Sequence, residues 1–143
     1  MTRKPFDLET FQANDPPARE AVKACFRGFG VELLDNPDIY GVDLISADGL
    51  VRVEVERRLV WESGPFPYDP VHIPSRKARI LGDGSCAYAI VSKDLKSIGT
   101  IGGFELFEYL MLDPYESFNK HVHEGETFYR VPREAFDWFD AGE

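Results

Sequence analysis

The chain has 143 residues, 43% of them hydrophobic and 13% aromatic, which suits one domain with a substantial core. Its 16 Lys and Arg against 25 Asp and Glu leave a net charge of −9, which argues against a generally basic nucleic-acid binder: any contact with a polyanion needs cations gathered locally. Cys25 and Cys86 lie far apart in no metal-ligand spacing, and neither a signal-peptide pattern nor an apolar run of ~20 residues is visible. The expectation is a cytoplasmic protein with reduced thiols and no membrane association.

Residues 1–14 show no strong period and read as an N-terminal arm. Asp15 then has the position of an N-cap with Pro16 at the first helical position, and Ala18, Ala21, Val22, Cys25, Phe26 and Phe29 form an apolar helical stripe that Gly28 and Gly30 end. Val31–Leu34 begins a strand, and Ile39–Ile45 leads into a hairpin. Asp48-Gly49 reads as a two-residue type I′ turn. Leu59-Val60-Trp61 extends the second arm. Residues 66–74, with three prolines, read as an ordered loop over the sheet edge or the site. Ser75–Leu81 is a short helix or strand, Cys86–Ser92 a buried strand, and Ile98–Ile101 a further strand. Phe104–Leu112 is helix or strand, Phe128–Val131 a strand, and Pro132 opens a final helical turn carrying Phe136 and Phe139.

The hairpin carries the chemistry. With Asp48-Gly49 at the turn, Ala47 pairs with Leu50, and counting outward sets Asp43 opposite Glu54, with Glu56 next on the same face. Like charges facing each other across strands cost roughly 0.2–1 kcal/mol, so the pattern asks for water or a cation between them. Mg²⁺ and Mn²⁺ prefer hard oxygen ligands and often bind through one or two carboxylates, leaving room for water and a substrate phosphate.

An Asp, a ten-residue gap, then Glu-x-Glu resembles the motif of the PD-(D/E)XK nuclease superfamily, with Glu56 standing where the family usually has Lys, a replacement some of its restriction enzymes share. The resemblance covers roughly residues 15–102. It implies an α+β fold with a restriction-endonuclease-like αβββαβ core, a mixed central sheet flanked by helices. It leaves residues 103–143 as a C-terminal extension of a single domain and reduces the usual helix before the fourth strand to Ser75–Leu81. It also implies a Mg²⁺- or Mn²⁺-dependent endonuclease acting on DNA, with Asp43, Glu54 and Glu56 as catalytic metal ligands.

Lys77, or Arg58, could supply the positive charge of the missing motif Lys, and Arg58, Arg76 and Arg79 offer phosphate contacts. A chain of this size often acts as a homodimer to cut both strands. Other candidates carry less chemistry: Glu20 on the first helix, His72 in its loop, and His121 and His123 with Glu124 and Glu126. Trp61, Phe66 and Tyr68 either stack bases or pin a loop, and packing is the expected role. The competing reading is a non-catalytic acidic protein, or a degenerate nuclease fold, that occupies a partner's basic surface through Glu134, Asp137, Asp140 and Glu143.

Overall fold

A computed structural model describes residues 16–38, 41–81, 84–112, 115–116 and 127–140. The elements are α1 (Pro16–Arg27), β1 (Leu33–Asp35), β2 (Leu44–Ser46), β3 (Arg52–Arg58), β4 (Val71–Pro74), a 3₁₀ turn (Ser75–Lys77), α2 (Ala78–Leu81), β5 (Ala87–Ser92), β6 (Ser97–Ile101), α3 (Gly103–Leu110), β7 (Tyr115–Glu116), β8 (Thr127–Val131), a second 3₁₀ turn (Arg133–Ala135) and β9 (Asp137–Asp140). The protein is α+β. Its main sheet has six strands in the order β1-β2-β3-β5-β6-β9, and β4-β8-β7 form a smaller antiparallel sheet.

The main sheet is mixed because β3 and β5 run parallel while its other neighbours are antiparallel. Parallel neighbours require a crossover. Here the chain leaves β3, pairs β4 into the second sheet, and returns through α2 to β5. Residues on the two sides of β3 therefore meet different partners. Val53 and Val55 join Ala18 and Val22 of α1 with Leu33, Leu44, Ala89, Val91 and Ile98 in one apolar layer. On the other face, Tyr88, Ile90 and Ile101 pack with Ile73, Val131, Leu81 and Leu106 under the second sheet and the short helices. Each fully buried aliphatic side chain in these layers contributes about 1.5–3 kcal/mol. No helix among the described residues is long and apolar enough to cross a membrane.

Several sequence expectations need correction. The 48–49 turn is not type I′, which needs positive φ at both central residues, because Gly49 has φ 75° and Asp48 is not among the positive-φ residues. The loop spans 47–50. Ser46 N–H donates to the Val51 carbonyl, Gly49 N–H donates to Ser46, and Asp48 Oδ1 accepts from Leu50 N–H. The register is nonetheless the expected one, with Leu44 opposite Val53 and Ile45 opposite Arg52.

Leu59 and Val60 do not extend β3: the chain turns there, Trp61 N–H donating to the Arg58 carbonyl, and only Trp61 is buried. Part of the proline-rich loop becomes β4. It lies at the edge of the second sheet, where flanking prolines are tolerated. Phe29, counted in the helical stripe, is 61% exposed. Phe139 sits on β9 rather than in a helical turn, opposite Ile98. The region set aside as an extension supplies the edge strand β9 and pairs β8 with β4. Asp15 lies outside the described residues.

Candidate functional site

At the end of β2 the ladder is handed from backbone to side chain. Continuing the β2–β3 register would bring Val42 opposite Val55, but the Val42 carbonyl instead accepts from Asn36 Nδ2 at 2.9 Å. Val55 N–H donates to Asp43 Oδ2 at 2.8 Å in its place. A backbone donor thus fixes the Asp43 carboxylate on the β3 side, and its own carbonyl is held by Asn36 N–H at 3.0 Å.

Continued by one residue, the β2–β3 register sets Glu54 opposite Asp43, close enough for the Asp43 charge to raise the Glu54 pKa. Glu54 is only 4% exposed. Its Oε2 accepts from Lys77 Nζ at 2.7 Å. Its Oε1 is sealed from solvent and meets no donor among the described residues. Asp43 can offer it a hydrogen bond only when one of the two carboxyls carries a proton.

Lys77 ends the 3₁₀ turn that follows β4, so the crossover itself delivers the ammonium to the strand. Burial works against that charge, but Glu54, Glu56 and Asp43 outweigh it and raise the Lys77 pKa, keeping it cationic. Burial and then the Asp43 charge push Glu54 up from 4.5 to about 7, with Lys77 opposing both. The site is therefore short of positive charge at neutral pH.

One consequence is measurable in the protein alone. A carboxyl whose pKa rises on folding favours the folded state most when protonated, so this contribution is complete below about 4.5 and is lost as pH rises through about 7. Unfolding free energy in urea is expected to fall by roughly 1–3 kcal/mol across that window relative to Glu54→Gln. Parallel pH profiles for the two proteins would show that Glu54 is not perturbed.

Glu56 does not join this pair. Its Oε1 forms an ion pair with Arg58 Nε at 2.9 Å, and its Oε2 accepts from the Tyr88 hydroxyl at 2.9 Å. Arg58 Nη2 donates to that hydroxyl at 2.9 Å and to the His72 carbonyl at 2.6 Å. Burial works to lower the Arg58 pKa, but Tyr88 and Glu56 outweigh it and raise it, so the guanidinium stays charged; burial, chiefly, holds the Tyr88 phenol protonated. Glu56, Arg58 and Tyr88 thus form an inner ionic network. On this face of β3, Glu54 is buried and Glu56 and Arg58 are partly buried.

The remaining candidates fall elsewhere. Glu20 pairs with Lys23 at 3.1 Å, on the exposed side of α1. His72 lends its carbonyl to Arg58, and burial followed by the Arg58 and Arg130 charges lowers its pKa. Trp61 and Phe66 are buried edge to face at 5.2 Å, and Trp61 Nε1 donates to the Gly64 carbonyl, so they pin their loop. Arg76 belongs to the turn before α2 and Arg79 to α2, with side chains outside the described residues, as are His121, His123, Glu124, Glu126 and Glu143. Glu134, Asp137 and Asp140 are exposed. Among the described residues, no three His, Cys, Asp or Glu side chains converge as a metal-ligand group.

No protein-family model matches the chain, and no curated protein is significantly similar to it.

Proposed function

We propose that the protein is a Mg²⁺- or Mn²⁺-dependent endonuclease that hydrolyses phosphodiester bonds of DNA on a restriction-endonuclease-like core. The observation that carries this reading is the convergence of Asp43, Glu54 and Lys77 from three segments onto one side of β3. Two acids and one ammonium, from the residue before β2, from β3 and from the crossover, make a constellation in which Lys77 fills the role of the motif Lys that Glu56 replaces. The order α1-β1-β2-β3, crossover through α2, β5 also follows the αβββαβ sequence, with β4 inserted.

A hard divalent cation fits this donor set. Glu54 Oε1 is buried without a donor, Asp43 lies beside it, and two carboxylates are a usual protein share of Mg²⁺ coordination. Asp43 and Glu54 would hold the ion, and Glu56, both of whose oxygens are engaged, would not. When bound, such an ion acts as a Lewis acid toward a phosphoryl oxygen and makes a water more acidic.

The chain's own groups do the rest. Val55 N–H orients Asp43. Lys77 orients Glu54 through Oε2 and presents a fixed positive charge where negative charge accumulates on the phosphoryl oxygens. Glu54 is ionised above about pH 7, so the site becomes competent for a cation in that range.

The test is cleavage of supercoiled DNA in Mg²⁺ or Mn²⁺. Wild type is expected to nick and linearise it, and Asp43→Asn and Glu54→Gln to lose at least about 10²-fold in rate. Equal cutting by the variants, or none by the wild type, would exclude the assignment.

A further inference from the structure

Alternation along β3 places Arg52, Glu54, Glu56 and Arg58 on one face. The cations of this face are used very differently. Lys77 is engaged by Glu54, and Arg58 by Glu56, Tyr88 and the His72 carbonyl. Arg52 lies across from Ile45, one same-side step before Glu54 and diagonal to Asp43. Its Nε is buried, and, unlike Lys77 and Arg58, its guanidinium forms no ion pair with a carboxylate among the described residues. A permanent cation held without a carboxylate partner keeps its terminal N–H donors for an incoming acceptor.

We infer that Arg52 binds a second phosphate of the substrate, next to the one engaged at Asp43 and Glu54, so that the site takes a polynucleotide strand rather than an isolated phosphodiester. The inference rests on the nuclease reading and deepens it by naming a residue that binds the substrate strand beyond the cleaved phosphate. Same-side residues of a strand are spaced about 7 Å apart, comparable with the step between successive phosphates of one nucleic-acid strand. The planar guanidinium suits a phosphate through paired N–H donors. On this face of β3, Lys77 and Arg58 are paired with carboxylates and Arg52 is not, which leaves it a local cation in a chain of net charge −9.

The experiment compares cleavage of a short DNA oligonucleotide and of bis(p-nitrophenyl) phosphate, in Mn²⁺ over a range of salt, by wild type, Arg52→Gln and Arg52→Lys. Arg52→Gln is expected to lower kcat/KM on the oligonucleotide about tenfold, mainly through KM, and to shrink the preference for it over the small diester. It should also reduce the slope of log affinity against log salt by about 1, with Arg52→Lys restoring the slope. Thermal melting at the wild-type temperature separates this loss from misfolding. An unchanged KM and salt slope in Arg52→Gln, while wild type cuts the oligonucleotide, overturns the role of Arg52 and leaves the nuclease reading standing. If wild type cuts neither substrate, the nuclease reading falls and this inference with it.

Discussion

Lys77→Met is expected to slow DNA cleavage by roughly 10²–10³-fold, the scale of removing one preorganised electrostatic group from a transition-state site. The variant should also show a pH-dependent loss of stability. Lys77 is what opposes the upward push of burial and Asp43 on Glu54, so without it the folded pKa of Glu54 moves above about 7. Raising pH then forces a buried carboxylate to ionise beside Asp43 with no ammonium facing it. Breaking a buried pair by removing one partner costs about 3–5 kcal/mol when the remaining charge is forced to stay. That cost should appear near about pH 8 and largely vanish near about pH 5, where Glu54 takes up a proton. Denaturant unfolding at the two pH values checks it. An equal loss at both would show that Lys77 contributes packing and not charge.

Arg58→Met is expected to be the most destabilising single change on the same strand face, at about 3–5 kcal/mol. The Arg58 side chain is 14% exposed, and its charge is shared among the Glu56 carboxylate, the Tyr88 hydroxyl and the His72 carbonyl. Methionine replaces the aliphatic stem but leaves Glu56 charged with one neutral donor. The contact to His72 also ties β3 to β4, so the loss reaches the docking of the second sheet. Adding Glu56→Gln should recover part of the loss, since the stranded charge is then removed. Urea unfolding of the single and double variants measures this coupling. A loss under about 1 kcal/mol for Arg58→Met would mean that the network behaves as a solvated surface pair.

The register of the β2–β3 hairpin was legible in the sequence although the turn type was not. A two-residue loop at 48–49 and the four-residue loop at 47–50 hand the chain over in the same phase, so Asp43 meets Glu54 either way. Lys77 could be named as a candidate because it is a cation close after the motif. Its 2.7 Å contact with Glu54 depends on where the crossover returns, which local sequence does not encode.

The fate of Glu56 was hidden for a related reason. Its partner Tyr88 lies on β5, and a parallel pair joined by a long crossover leaves no turn from which to count register. Nothing in the Glu-x-Glu-x-Arg alternation shows that Tyr88 and Lys77, from elements distant in sequence, meet this face. Likewise the strand state of β4 and β9 is hidden in the sequence, since strands of four residues owe their state to the neighbours they pair with.

Calorimetric titration of Mn²⁺ into the metal-free protein near neutral pH addresses the pairing of Asp43 and Glu54 most directly. Binding is expected to strengthen as pH rises toward about 7, with proton release from Glu54, and to be lost in Asp43→Asn. Absence of Mn²⁺ binding, or binding that Asp43→Asn leaves unchanged, would contradict it.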